Sequence, residues 1–285
     1  MTMLKYIPDN LLCAIEYAKR CDFSFMRTDV QPYLPNNKFT DIKSNSSVYC
    51  WSSHLNTLFR YLEQTDLENI TLVSGDNDHP SNPNGIIISW PQHGYDGVLP
   101  APKCIARWFA QNAEVHNNIM QPIPIGLGKS AKSNDLKSMI VDCRRDKLLY
   151  CNFEMSTNPI QRSKIAEIVF KSCPNATHQH ARISPNLFYR HLQEHKFVLC
   201  PPGNGKDTHR AWESIYFGAI PVVEDSEMNR YFSTLFPMVL VSRWCDVTES
   251  FLLDKYEQQI SNVWMHELLD ADKLMNWFQV TGKTS

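Results

Sequence analysis

One stretch, residues 196–225, constrains the fold of this chain more than any other. It reads KFVLCPPGNGKDTHRAWESIYFGAIPVVED, in which a short apolar run, a polar loop, a helical pattern and a second apolar run follow one another. The run 197–200 ends at Pro201 and Pro202, which lack the N–H groups of a central strand, so the chain must leave the sheet there. The stretch therefore predicts a strand, a loop, a helix and a second buried strand of an α/β unit.

The loop and the start of the helix have the features of an anion site. Gly203 and Gly205 lie in the loop, Asp207 or Thr208 can cap the helix, and Gly218 supplies its C-terminal stop. At a helix N-terminus, free backbone N–H groups and the positive end of the helix dipole point outward together. The pattern therefore predicts that a phosphate group binds there.

Three polar side chains share one face of this helix beside its N-terminus, namely His209, Arg210 and Glu213. Arg210 can pair with a diphosphate, and Glu213 can accept hydrogen bonds from ribose hydroxyls. The alternative is that Arg210 and Glu213 form an ordinary surface ion pair. Their position next to the glycine loop favours a binding role.

Two common phosphate-binding motifs do not fit this loop. A Walker loop requires Ser or Thr after the Gly-Lys pair, but Asp207 follows Gly205 and Lys206, and Cys200 occupies the first glycine position. A dinucleotide fingerprint requires a third glycine where Thr208 stands, and it belongs on an opening strand. The loop therefore belongs to another kind of site.

The residues of this stretch carry a resemblance to a known family. The pattern F-x-L-C-P-x-G-x-G-x-D-T-x-R-x-W-E, followed by residues 217–223, is similar to the donor-binding half of exostosin-type glycosyltransferases, including their ribitol-xylosyltransferase-like branch. Weaker similarity runs from residues 108–112 through 122–127 to the end of the motif. Within the family the chain most resembles the small chlorovirus β-xylosyltransferases. The resemblance implies an inverting enzyme that moves xylose from UDP-xylose onto a fucose-containing acceptor, a viral capsid N-glycan.

The same resemblance implies a set of donor-binding residues. In the family an arginine after the first strand of the second domain contacts the donor diphosphate, which implies this role for Arg162. From the pattern alone, Arg162 could equally be a solvated residue in the first turn of a helix. The implied donor site comprises Arg162, Gly203, Asn204, Gly205, Lys206, Asp207, Thr208, His209, Arg210 and Glu213.

An acidic loop follows a predicted strand in the first half of the chain. Residues 70–73 form a short apolar run that leads into Ser-Gly-Asp-Asn-Asp-His-Pro. Loops at the carboxyl ends of parallel strands are where α/β folds place their chemistry. For the base that takes the proton of an acceptor hydroxyl, Asp76 is the first choice, Asp78 the second and His79 the third. The alternative is that Asp76 and Asp78 only form Asx turns or cap a helix.

The remaining pattern predicts two α/β domains. Further strand candidates lie at residues 86–90, 106–110 and 123–127, and a polar segment then marks a domain boundary. The prediction is an acceptor-binding domain over residues 1–140 and a nucleotide-sugar-binding domain over 141–285, whose C-terminal helix crosses back. Two Rossmann-like α/β domains that face a cleft are the layout of a GT-B glycosyltransferase.

Three other functions remain open from the residues. The Asp76-Asn77-Asp78 triplet could hold Mn²⁺ on a donor diphosphate, as in metal-dependent GT-A transferases, because hard oxygen ligands suit that ion. On the first interpretation no metal is required. A second alternative is a nucleotide-sugar-binding protein without catalysis, and a third is a phosphate-handling hydrolase, which the failed Walker pattern disfavours.

Composition excludes several other classes of protein. Apolar residues make up 43% and charged residues 20% of the chain, and no segment approaches the run of about 20 apolar residues that a membrane helix needs. A net charge of −2 gives no basic field for nucleic acid, and nine cysteines without C-x-x-C indicate neither a disulfide framework nor a zinc site. The opening residues suit an amphipathic helix better than a signal peptide. We therefore expect a cytoplasmic protein, in the host cytoplasm if the chain is viral.

Overall fold

The computed structural model of this chain describes residues 3–26, 37–75, 86–87, 98–99, 101–113, 119–128, 131–179 and 182–280. The chain divides into two compact units. The N-terminal unit consists of Leu12–Ile125 with Asp270–Ser285, and the C-terminal unit consists of Met1–Leu11 with Gly126–Leu269. Each unit contains one five-stranded sheet.

The N-terminal unit contains a parallel sheet of order β1-β2-β3-β6-β7. The short strands β4 and β5 pair with each other in antiparallel fashion, outside that sheet. Of the strand predicted at 86–90, residues 86 and 87 form β4, and the other three lie outside the described residues. The elements are α1 (Ala14–Arg20), β1 (Phe23–Phe25), β2 (Ser47–Trp51), α2 (Leu55–Leu62), β3 (Ile70–Gly75), β4 (Ile86–Ile87), β5 (Val98–Leu99), β6 (Ile105–Ala110) and β7 (Met120–Pro122).

Helix α2 covers the N-terminal sheet with one apolar face. Leu55, Leu58, Phe59 and Leu62 recur at helical spacing, and all of them are buried. They belong to one core cluster with residues of β2, β3 and β6, and the Phe59 ring meets the Trp108 ring edge-on at 5.6 Å. The buried run 70–73 is the predicted strand, which extends as β3 to Gly75.

The strand predicted at residues 123–127 is wrong. The last strand of the sheet is β7, Met120–Pro122, and residues 123–127 have no regular structure. Ile123 still donates a backbone hydrogen bond to Ala110 O at 3.0 Å, but Pro124 has no N–H to continue a ladder. Gly126 then turns the chain with a positive φ of 66°.

The C-terminal unit contains a second parallel sheet, of order β12-β11-β10-β8-β9. Its elements are α3 (Ser133–Ser138), β8 (Lys147–Cys151), α4 (Pro159–Ser172), β9 (Thr177–His178), α5 (Pro185–Glu194), β10 (His195–Leu199), α6 (His209–Tyr216), β11 (Ile220–Glu224), α7 (Glu227–Phe232), β12 (Val239–Val241) and α8 (Glu249–Ser261). The predicted α/β class with two Rossmann-like domains is confirmed, since both units carry a parallel sheet with helical connections. The cleft between them stays a prediction.

The apolar pattern of α4 is only partly buried. Its sequence predicts an apolar stripe of Ile165, Ile168 and Val169, of which Ile165 and Val169 lie in the core of the C-terminal unit, whereas Ile168 is 38% exposed. Around α6, the predicted strand, loop, helix and second strand are all present, whereas Thr208 makes no side-chain cap hydrogen bond. Its apolar face is buried, Trp212 contacts the Phe232 ring edge-on at 5.2 Å, and Gly218 ends the helix with a φ of 76°.

The division into units differs from the predicted boundary at 140/141. The chain enters the C-terminal unit at Gly126. Gln193, buried on α5, accepts a hydrogen bond from the Val141 N–H at 2.9 Å and donates to Met139 O at 2.9 Å. These bonds tie the backbone at the predicted boundary to α5.

The C-terminal residues return to the N-terminal unit. Helix α9 (Ala271–Trp277) contacts α1, and Arg20 donates to the Asp272 carboxylate at 2.6 Å. The helical spacing predicted over the tail is interrupted, since α8 ends at Ser261 and Val263 is 99% exposed. None of the helices in the described residues combines the length and the apolar composition that crossing a bilayer requires.

Candidate functional site

The C-terminal sheet has a topological switch point between β8 and β10. These two strands are neighbours, and the chain continues from β8 to β9 on one side and from β10 to β11 on the other. In open parallel sheets, loops that leave the carboxyl ends of such strands diverge, and ligands bind there. The two loops in question are residues 152–158 and 201–208, and the second is the glycine-containing loop singled out in the sequence.

The loop 201–208, here called the glycine loop, is held by its own backbone and by α6. Gly203 donates a backbone hydrogen bond to Gly205 O at 2.9 Å. Asp207 is 4% exposed, and its Oδ1 accepts a hydrogen bond from Trp212 Nε1 at 2.8 Å. Asp207 therefore fixes the loop to α6, whereas Asn204 and Lys206 are exposed on its outer side.

Helix α6 starts at the end of the glycine loop. Thr208, in extended conformation, is the N-cap residue, and its side chain makes no cap hydrogen bond. The first turn of the helix contains no acidic residue, and the buried Asp207 lies directly before the N-cap. Backbone N–H groups and the positive end of the helix dipole at such a terminus can bind an anion.

His209, the first residue of α6, is exposed and directed to a backbone group. Its Nδ1 lies 2.7 Å from the carbonyl oxygen of Gly126. The ring thereby connects the start of α6 to Gly126, where the chain re-enters the C-terminal unit.

Arg210 lies in the first turn of α6 and has three neighbours. Its Nε donates to Glu213 Oε2 at 3.4 Å, and its Nη1 donates to Asn152 Oδ1 at 3.4 Å. Its Cζ lies over the Phe188 ring, 4.3 Å from the ring centroid. Charge-assisted hydrogen bonds are typically about 2.8 Å long, so both bonds of Arg210 are weak and a phosphate could compete for the guanidinium.

Arg162, on α4, is a buried cation that joins the two loops of the switch point. It is 7% exposed, so the interpretation as a solvated helix residue is wrong. Its Nε donates to Pro202 O at 3.0 Å and its Nη2 to Pro201 O at 3.4 Å. Its Nη1 donates to Glu154 O at 2.5 Å, in the other loop. Sequence reasoning could not find this role, since the acceptors are backbone carbonyls.

Gly203 is required at its position by the closeness of Arg162. A Cβ on Gly203 would lie 3.0 Å from Arg162 Nη2 and 3.4 Å from Thr157 Cγ2. Asn158 also donates from Nδ2 to Gly203 O at 3.0 Å. A larger residue would therefore push the glycine loop away from the arginine that supports it.

The charges around the glycine loop favour an anion. Burial lowers the pKa of Arg162, and the neighbouring positive charge of Arg210 lowers it further. The positive charge of Arg210 therefore disfavours the charged form of Arg162, and the carboxylate of Glu213 is bonded only weakly to Arg210, at 3.4 Å. A diphosphate bound beside both arginines would relieve the repulsion.

The predicted catalytic residues Asp76, Asp78 and His79 lie outside the described residues. The structure does describe Gly75, the last residue of β3, on which a Cβ would lie 2.2 Å from Gln111 Oε1. Among the residues with described positions, no group of three His, Cys, Asp or Glu side chains could hold a metal. The triplet that carries the metal alternative is not among them.

Two residues of the site were missed in the sequence. Asn152 directly follows β8, and a polar residue just after a buried strand is a signal that could have found it. Phe188 gave no such signal, because an aromatic residue in an apolar helical stripe is ordinary core material. Its contact with Arg210 depends on the packing of α5 against α6.

No family model and no curated protein matches the chain. Among solved structures, it is similar to the spinosyn rhamnosyltransferase SpnG complexed with thymidine diphosphate, with 13% identity and a TM-score of 0.38 over 82% of this chain and 69% of that chain. It is also similar to the trehalose-6-phosphate structure from E. coli bound with UDP-2-fluoro glucose, with 8% identity and a TM-score of 0.47 over 95% of this chain and 77% of that chain. A structure of trehalose-6-phosphate synthase OtsA is also similar, with 8% identity and a TM-score of 0.43 over 95% of this chain and 76% of that chain. These values are too low to bear on function, which must be inferred from the residues.

Proposed function

We propose that this chain is a glycosyltransferase that moves a sugar from a nucleoside diphosphate donor onto a hydroxyl group of a glycan, with inversion at the anomeric carbon. One observation carries the proposal. The N-terminus of α6, where Thr208 makes no side-chain cap hydrogen bond and Arg210 lies in the first turn, follows the glycine loop at the switch point of a parallel sheet. An anion site at this place in an α/β sheet is typical of nucleotide binding.

The donor diphosphate binds against the glycine loop and the start of α6. Backbone N–H groups of the first turn donate to phosphate oxygens, and Arg210 pairs with them at the side. Arg162 acts from beneath the loop through its charge, because its Nε, Nη1 and Nη2 donate to backbone carbonyls. Glu213 accepts hydrogen bonds from the ribose hydroxyls once the diphosphate replaces it as the partner of Arg210.

The transfer is a single displacement. Asp76 takes the proton of the acceptor hydroxyl, with Asp78 and His79 as the next candidates, and the oxygen attacks the anomeric carbon. The bond from that carbon to the diphosphate oxygen breaks, and its electron pair leaves with the diphosphate. The cations and the helix N-terminus stabilise the charge that develops on the leaving group, so the scheme requires no metal ion.

The specific substrates follow from the family resemblance. The chlorovirus β-xylosyltransferases imply UDP-xylose as donor and a fucose residue of a capsid N-glycan as acceptor. Xylose lacks the exocyclic CH₂OH group of glucose, so a bulky side chain in the sugar pocket would exclude UDP-glucose by steric overlap.

Calorimetric titration with UDP-xylose, UDP-glucose, UDP-glucuronic acid and GDP-fucose tests the proposal, followed by product analysis on a fucose acceptor. We expect the tightest binding for UDP-xylose and a β-linked xylosyl product. Binding of UDP-xylose without transfer would favour a nucleotide-sugar-binding protein. Activity that EDTA abolishes and Mn²⁺ restores would favour the metal-dependent alternative, and no binding of any nucleoside diphosphate would contradict the proposal.

A further inference from the structure

Phe188 presents a ring face to the cation of the candidate donor site. It lies in the first turns of α5, is 9% exposed, and its ring centroid is 4.3 Å from Arg210 Cζ. At this distance the negative face of the ring attracts a guanidinium group. The guanidinium also donates two hydrogen bonds, but both are 3.4 Å long and therefore weak, so the ring face is an important support for its orientation.

The Phe188 ring is itself held in place by its surroundings. Ser184 caps α5 by accepting a hydrogen bond from Leu187 N at 3.4 Å, which sets the start of the helix. The Tyr150 ring, fully buried on β8, lies 6.4 Å from the Phe188 ring, and the Tyr189 ring lies 5.2 Å away. Residues from two elements thus fix the surface on which Arg210 rests.

A free arginine side chain has many rotamers, and it loses that freedom when it binds a ligand. A stacked guanidinium has already lost much of it before the ligand arrives. The planar group also keeps its N–H edge available while its face is covered, and that edge is what binds phosphate. A ring under Arg210 therefore prepares it for an anion without competing for its donors.

We propose that Phe188 is a positioning residue, which holds the Arg210 guanidinium against its ring face in the orientation that receives the donor diphosphate. The inference rests on the proposed function, because it assigns the ligand of Arg210 to the diphosphate. Phe188 itself does not contact the ligand. Its effect should therefore appear only with ligands that carry the diphosphate.

The test compares UDP with uridine, which lacks the diphosphate, by calorimetric titration of the full-length chain. Phe188→Leu keeps an apolar side chain but removes the ring face, and we expect UDP affinity to fall by roughly tenfold with no change for uridine. Phe188→Trp, which offers a stronger ring face, should restore UDP affinity. The matched control is Phe251→Leu, which removes a ring 5.8 Å from the surface cation of Lys255 and should leave both ligands unaffected.

A trifluorinated phenylalanine at position 188 keeps the shape of the ring while weakening its negative face, so it tests the same contact if Phe188→Leu does not fold. Reduced UDP affinity with unchanged uridine affinity would support the inference. Wild-type affinity for UDP in the leucine and fluorinated variants, or an equal loss for both ligands, would overturn it. If the wild-type chain binds no nucleoside diphosphate at all, the proposed function itself is contradicted. This result differs from the supporting and the overturning results above, because in both of them the wild-type chain binds UDP.

Discussion

The two parallel sheets differ in the order of their strands. Among the described strands, the order in the N-terminal sheet follows the chain, β1-β2-β3-β6-β7, without a reversal. The C-terminal sheet reverses between β8 and β10, which gives it a switch point. Topology alone therefore points to the C-terminal sheet as the one that binds a ligand.

The two sheets also differ in the residues at their carboxyl edges. At the C-terminal sheet, Arg162 and Arg210 lie beside the loops of the switch point, one buried beneath the glycine loop and one at its side. At the N-terminal sheet, the described strand β3 ends at Gly75, against the side chain of Gln111. Under the proposed function, the difference assigns donor binding to the C-terminal sheet, and the base to the acids that follow Gly75 in sequence.

Replacement of the acids after Gly75 should have the largest effect on turnover and none on binding. For the double variant Asp76→Asn and Asp78→Asn we expect transfer to slow by about a thousandfold, because the base is lost. UDP affinity should not change, as measured by calorimetry beside a transfer assay. Asp254→Asn, which alters an exposed carboxylate on α8, is the control. A double variant that no longer binds UDP would contradict the assignment of binding and catalysis to different sheets. A double variant with full turnover would refute Asp76 and Asp78 as the base and leave His79 as the candidate.

Removal of the buried arginine should have the largest effect on stability. Arg162→Ala leaves the carbonyl groups of Glu154, Pro201 and Pro202 without their donor, so we expect the free energy of unfolding to fall by about 3 kcal/mol. Urea denaturation measures it. Arg190→Ala, which removes an arginine 63% exposed in an ion pair with Glu194, should cost less than about 1 kcal/mol. Equal losses in the two variants would refute the supporting role of Arg162.

Removal of Arg210, at the side of the glycine loop, should weaken UDP binding and change stability little. Arg210→Ala should raise the Kd for UDP by about 30-fold, or about 2 kcal/mol, since a charge-assisted hydrogen bond to phosphate is lost. The free energy of unfolding should change little, because the side-chain bonds of Arg210 are long. Arg230→Ala, in an exposed pair with Asp225, is the control. Unchanged UDP affinity in Arg210→Ala would show that the anion site is not at α6.

Alanine substitution of Gly203 should have the smallest effect of the four changes, and it tests the role of the glycine loop alone. Gly203→Ala brings a methyl group to 3.0 Å from Arg162 Nη2, for which we expect a loss of about 1 kcal/mol in stability and weaker UDP binding. Gly128→Ala meets nothing within 4 Å and serves as the control. Thermal unfolding and UDP titration compare the two. A Gly203→Ala variant as stable and as active as Gly128→Ala would mean that the loop can shift freely.

Local signals explain what the sequence could predict. Pro201 ends a strand, Gly218 ends a helix, and the apolar spacing of α2 and α6 selects their buried faces, since each depends on residues close in sequence. Tertiary contacts explain the rest. The acceptors of Arg162 are backbone carbonyls of two loops, and Phe188 meets Arg210 only because α5 packs beside α6. Neither contact can be predicted from residue type or spacing.

A crystal structure of the chain grown with UDP tests the central claim most directly. We predict that the diphosphate lies against residues 203–213, with its oxygens in hydrogen-bonding distance of the first backbone N–H groups of α6 and of the Arg210 guanidinium. A diphosphate bound elsewhere, above all at the carboxyl edge of the N-terminal sheet, would contradict the account.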